Sequence, residues 1–396
     1  MNPLRHLASR YAPVAAMGLI TCLLGATLFK GSNIASAQLS YPPPEPPAAT
    51  TPIPGPFRSY LPIIFRGRPT TVAPSYYVIN LATLGAAGAA LGIHDRDTAG
   101  TQDNLVVLHF GYPRKSGSFY GVQLPFDQSH AFQSLGTVID AVRTFAQAYY
   151  ANLGTDTTSH LRIVVGVVSC CQSSPANPTG DLDFMRGHGT AWANTMSNIR
   201  AQLTGGIASR VDVVGGYDME PDWNRPYAST EWATRFALQG PTACNTGSTG
   251  YDQGCLYSYS TVPISVSGTN CAASETVTSW TACDIWYVAL GVKKSNSWIA
   301  RPLPQIYHRY NPSYPQYPWG VDATQWKDLS LFSANQMNAG PMYFVGSLTQ
   351  RADCGDGCPN GNNYPEEGYD LLSNALASNP ATGHYIRWMT DIGNQP

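Results

Sequence analysis

The sequence predicts an α/β fold: a single (β/α)8 TIM-barrel-like domain with a disulfide-pinned loop excursion. Three observations predict it. Apolar runs of strand length alternate with stretches of helical period from residue 75 onward. The units recur at roughly 35–50 residues, a spacing that fits eight strand–helix units into about 320 residues. No G-x-G-x-x-G follows a strand, so the dinucleotide-binding form of the runner-up, a doubly wound open sheet, loses support.

The elements follow in order. The run NLVVLHF at 104–110 is apolar on both faces, as a buried parallel strand requires. Leu135, Ile139, Val142, Phe145 and Tyr149 recur at steps of three and four and predict a helix. A second buried strand is read at 161–168, and Trp192, Met196, Ile199 and Leu203 mark a second helix. A third strand covers 211–220, and 230–238 suits a short helix. Residues 244–283 are rich in Ser, Thr, Gly and Cys without periodicity and read as the excursion. Strands are expected again at 284–290, 304–308 and 342–349. Helical pattern is expected in part of 322–337 and around Tyr369, Leu372 and Leu376.

The N-terminal region reads differently. Residues 1–37 have the form of an export signal, with Arg5, His6 and Arg10, an apolar stretch at 12–29, and Ala35-Ser36-Ala37 for cleavage. The alternative is an uncleaved membrane anchor. Residues 38–74 form a Pro-rich spacer and docking segment, in which YPPPEPPAATTPIPGP at 41–56 favours polyproline II. The apolar run at 60–66 offers envelope association as a second reading. Residues 75–396 are the barrel-like domain.

The chain has 396 residues, 12% of them charged, and a formal charge of −2. That composition argues against a nucleic-acid binder, a disordered chain and a coiled coil. Loss of 1–37 removes Arg5, Arg10 and Lys30 and no acid, so 20 basic residues face 25 acidic ones and the charge becomes −5. Of nine cysteines, eight remain, which suggests disulfides in an exported chain. Proximity suggests Cys244–Cys255, Cys271–Cys283 and Cys354–Cys358. The adjacent Cys170 and Cys171 pair with each other or elsewhere, and connectivity stays open.

The segment VDVVGGYDME at 211–220 carries the chemistry. Side chains alternate along a strand, so Asp212, Val214, Gly216, Asp218 and Glu220 share one face. In a barrel, Asp218 and Glu220 emerge at the C-terminal end, where barrel enzymes keep their sites. Carboxylates at i and i+2 lie about 6–7 Å apart along the strand. Each raises the other's pKa, so one holds a proton near neutral pH. Acid-assisted glycosidic cleavage needs such a pair. The structural alternative is that both bond loop amides or Arg225.

This D-x-E at a strand end resembles the fourth-strand motif of chitinase-like and lysozyme-like glycoside hydrolase barrels. The resemblance implies that Glu220 is the general acid and Asp218 its partner, orienting an N-acetyl group whose oxygen is the nucleophile. The fuller chitinase pattern has Asp residues upstream, where this sequence has Val213 and Gly216. A late-strand Tyr that stabilises the cyclised intermediate would be Tyr307. YDMEP, WYVALG and MYFVGSLTQ are similar to a group of uncharacterised secreted bacterial proteins, which implies a shared barrel and no reaction.

Further pocket walls are expected from His109 and Tyr112, from Trp223 after the acidic pair, and from Gln325 and Trp326 by hydrogen bond and stacking. The aromatic run at 310–319 is a ligand-contact loop. The oxygen-rich loop at 353–363 reads as a disulfide-stapled turn rather than a calcium site. No G-x-S-x-G, H-E-x-x-H or Walker pattern occurs, so no metal or cofactor is expected. The expectation is an exported glycoside-hydrolase-like protein acting on an envelope or environmental polysaccharide. A non-catalytic extracellular scaffold that binds glycan is the alternative. The partner is a glycan and not nucleic acid, and the oligomeric state is left open.

Overall fold

A computed structural model describes residues 68–169, 181–221, 224–240, 255–262, 269–272, 274, 276–294, 297–308, 322–354, 362–382 and 386–395. The export signal, residues 38–67 of the spacer, the aromatic loop 310–319, Trp223, Cys170, Cys171, Cys244, Cys358 and the side chain of Cys354 lie outside the described residues.

Eight strands form one parallel sheet: β1 (Ala73–Tyr77), β2 (Asp103–His109), β3 (His160–Ser169), β4 (Val211–Met219), β5 (Leu256–Ser258), β6 (Ala300–Pro302), β7 (Gly346–Thr349) and β8 (Trp388–Asn394). Their order is β6-β5-β4-β3-β2-β1-β8-β7, so each strand neighbours the next in sequence and β1 lies against β8. The β6–β7 seam carries sparser bonds. Val345 N–H donates to Pro302 O at 3.0 Å, Leu348 N–H to Pro304 O at 2.8 Å and Ile306 N–H to Leu348 O at 2.8 Å. The sheet is thus nearly closed and barrel-like.

Between the strands lie α1 (Leu84–Asp97), α2 (Leu135–Asn152), α3 (Leu182–Gln202), α4 (Pro226–Gln239), α5 (Ala282–Trp286), α6 (Asp322–Asn335), α7 (Arg351–Cys354) and α8 (Pro365–Ala377). Local chemistry sets their starts. Ser134 accepts the Thr137 N–H ahead of α2, and Asp181 accepts the Phe184 N–H ahead of α3. Pro226 occupies the first turn of α4, where a missing N–H costs nothing. No helix among the described residues is long and apolar enough to cross a membrane.

Two apolar cores result. One lies between sheet and helices and includes Phe145, Trp192, Trp232 and Trp326. The other fills the barrel with Leu105, Val107, Val164, Val214, Leu348 and Ile392 among others. The alternation along β4 is as expected: Val214 faces the barrel interior, while Val213, Tyr217 and Met219 face the helices.

Two expectations need correction, and one element was not foreseen. Residues 284–290 are not a strand: α5 and a π-helical turn (Tyr287–Gly291) occupy them. A reciprocal cap overrides the strand-like composition. Asp284 N–H donates to Thr281 Oγ1 at 3.3 Å, and Thr281 N–H donates to Asp284 Oδ2 at 2.9 Å. Residues 304–308 are not a strand: β6 ends at Pro302, and only isolated bridges follow at Gln305 and His308. An excursion absent from the sequence reading leaves β2, as antiparallel strands Tyr112–Ser116, Phe119–Gln123 and Gln133–Ser134. In the expected excursion, the Cys271–Cys283 disulfide is formed and Cys255 is disulfide-bonded as well.

Candidate active site

The C-terminal ends of the barrel strands converge on one polar cluster. Two glycines make room for it. A methyl group on Gly166 of β3 or Gly216 of β4 would collide with the Tyr259 ring, so both positions admit only hydrogen. Tyr259 follows β5 and therefore lies across the barrel, where its hydroxyl bonds His109 Nδ1 at 2.9 Å. Gly216 thus fills an upstream position of the chitinase pattern for a steric reason of its own.

Asp218 is buried beside this pair. Gln305 Nε2 donates to Asp218 Oδ1 at 2.9 Å, and His109 Nδ1 lies 3.9 Å from Asp218 Oδ2. Asp218 also shares a hydrogen bond with Glu220. The two carboxyl groups are therefore closer than the rise of the strand predicts. Ser169 Oγ accepts the Glu220 N–H at 3.1 Å and donates to Asp218 O at 3.4 Å, which ties the ends of β3 and β4 together. Glu220 is half-buried. Among the described residues, no arginine bonds Asp218, so a closed salt bridge to Arg225 is not its arrangement.

The surroundings fix the protonation states. Burial and the neighbouring Glu220 charge push the Asp218 carboxyl well above the usual carboxylate range, against the opposing bond from Gln305. Burial pushes His109 down to about 3, so its imidazole is neutral at pH 7. Four phenols, Tyr77, Tyr112, Tyr259 and Tyr307, are pushed up by burial and by the Asp218 carboxylate, and remain protonated donors. Tyr77 ends β1, bonds Tyr307, and accepts from Gln350 Nε2 at 2.8 Å. Its ring meets His109 edge-on at 5.3 Å. The cluster is an acid pair holding a proton amid neutral donors.

Of the residues expected from sequence, Asp218, Glu220, His109, Tyr307 and Tyr112 belong to this end of the barrel. Trp223 lies outside the described residues. Trp326 is not a sugar platform, because α6 turns it into the outer core, fully buried against Phe344 at 5.9 Å. Gln325 lies beside it on α6, and among the described residues no bond joins it to the carboxylates. Tyr77, Tyr259, Gln305, Gln350 and Ser169 were missed. Gln305 had a signal, since it shares a strand face with Tyr307. Among the described residues, no group of three His, Cys, Asp or Glu side chains is placed to hold a metal ion.

Comparison with protein-family models, with curated proteins and with solved structures gave no match.

Proposed function

We propose that this protein is an exported glycosidase built on a (β/α)8 TIM barrel, cleaving an envelope or environmental polysaccharide with Glu220 as general acid. The observation that carries the reading is the Asp218–Glu220 pair. It is proton-sharing, has no arginine on Asp218, and stands at the end of the barrel where such folds keep their chemistry.

The reading takes the nucleophile from the substrate, as the resemblance to chitinase-like hydrolases implies. The proton held by the pair passes from Asp218 to Glu220 and on to the glycosidic oxygen as the C1–O bond breaks, which leaves Asp218 ionised. An acetamido oxygen of the same sugar bonds C1, while Asp218 orients that group and Tyr307 donates to it. Glu220 then takes a proton from water, whose oxygen bonds C1 and reopens the ring. Residues 1–37 would direct export, and the Pro-rich spacer would hold the barrel off the envelope.

Release of reducing ends from a panel of polysaccharides, by wild type beside Glu220→Gln, tests this. Turnover lost in the variant supports the assignment. Turnover unchanged removes Glu220 from it, and glycan binding without turnover by both proteins decides for a non-catalytic scaffold.

A further inference from the structure

A cleft of about 870 Å³ lies between the turn after β1 and the loop that joins the last two strands of the antiparallel excursion. Its lining includes Ile79, Asn80, Pro125, Phe126, Asp127 and Gln133. Phe126 is the unusual member. Its ring is 62% exposed, and its backbone is left-handed at φ 58°. An aromatic residue holds that conformation only where its surroundings impose it.

Here they do. Asp127 Oδ1 accepts from Ser129 N–H at 2.9 Å and from Ser129 Oγ at 2.6 Å, and Oδ2 accepts from Ala131 N–H at 2.9 Å. Gln123 Nε2 donates to Asp127 O at 3.1 Å and contacts His130 Nδ1 at 2.8 Å. His130 is left-handed too, at φ 54°. The loop is thus fixed in a strained form that presents one ring to solvent. That ring meets Tyr77 edge-on at 5.5 Å, and Tyr77 belongs to the acidic cluster. One aromatic contact thus joins the rim of the cleft to the site.

The lining also selects its occupant. Among the described residues it holds no Lys, Arg or His, and it carries the Asp127 carboxylate, so it does not suit an anion. An aromatic face next to amide groups matches a ring with a C–H face and a hydroxyl edge. We infer that this cleft is a second sugar subsite with Phe126 as its platform. The substrate is accordingly a neutral glycan longer than the unit cleaved at Glu220. The inference rests on the glycosidase reading above.

The test is calorimetric titration of the full chain carrying Glu220→Gln, and of Glu220→Gln with Phe126→Ala or Phe126→Gly. Probes are β-1,4-linked N-acetylglucosamine oligomers from dimer to hexamer, cello-oligomers of the same lengths, and oligogalacturonate. Affinity for a neutral series should rise with length in the parent. It should fall about tenfold for the hexamer in both Phe126 variants, with the dimer unaffected. Phe126→Gly, which relieves the left-handed strain, should melt no lower than the parent, so that lost binding is not lost folding. Hexamer affinity equal in parent and variants, or oligogalacturonate preferred, overturns the subsite and leaves the Glu220 reading standing. If the parent binds no oligomer and the wild type hydrolyses none, both readings fall.

Discussion

The two mouths of the barrel are built from the same eight strands and treat charge in opposite ways. At the N-terminal mouth three arginines each meet an acid. Arg162 lies 3.0 Å from Asp212, Arg387 lies 2.5 Å from Asp103 and Arg210 lies 3.4 Å from Asp156. Arg162 also stacks over Trp388 at 4.9 Å and donates to Tyr257 at 2.8 Å. At the C-terminal mouth Asp218 meets an amide, a neutral imidazole and a second carboxyl. Paired charges close the floor and hold the strands. A buried carboxyl held above its usual range is costly to fold around, and its presence at the other mouth marks where chemistry is to be sought.

Substitutions sharpen that contrast. The largest effect is expected for Glu220→Gln, which should lower the rate of reducing-end release by about 10²–10⁴-fold with the thermal midpoint unchanged. At the floor, Arg162→Ala should cost about 2–3 kcal/mol in chemical denaturation. This is less than for a fully buried pair, because Asp212 is a third exposed. Its turnover per folded molecule should stay at the wild-type level. A floor variant that lost turnover while folded would break the comparison.

Acid should separate two histidines from the acidic pair. His188 donates from Nε2 to Gly121 O at 3.1 Å and accepts the Trp232 Nε1–H at Nδ1 at 3.0 Å, which fixes a neutral ring. Burial holds His188 at about 4 and His109 at about 3, below the value near 6.5 in the unfolded chain. Their stabilising contribution is whole above pH 6.5 and is lost as pH falls toward those folded values. The loss should reach roughly 2–4 kcal/mol between about pH 6.5 and 5 in denaturant melts. Asp218 has the opposite sign, since its raised pKa costs stability as pH climbs above the unfolded carboxylate value. Asp218→Asn should therefore stabilise the protein at pH 7 by roughly 1–2 kcal/mol and steepen the acid loss. A further effect is local. Cys271→Ser should cost about 2–3 kcal/mol and vanish under reducing conditions, since the bridge spans a separation of only 12 residues.

How legible all this was in the sequence depended on the kind of signal. Strands β2, β3 and β4 are continuous apolar runs, and their registers place Asp218 where alternation predicts. Strand β1 and helix α1 carry no comparable stripe, because α1 is built of Gly and Ala that pack by closeness rather than by bulk. Strand β5 has three residues, too few for a period, yet it delivers Tyr259. The cluster therefore assembled from residues whose meaning is steric and long-range. Gly166 and Gly216 signify nothing alone, and the contact between Tyr259 and His109 spans 150 positions.

The closing strand pair adds a demand of another sort. Ser75 Oγ and Thr390 Oγ1 meet at 2.6 Å across 315 positions of chain, within the β1–β8 ladder. Until the last strand emerges during synthesis, β1 has an open edge with nothing to pair against. Loop closure over that distance makes the final ladder slow to form. Loss of β8 would leave two unpaired edges and a chain inclined to associate with its own copies.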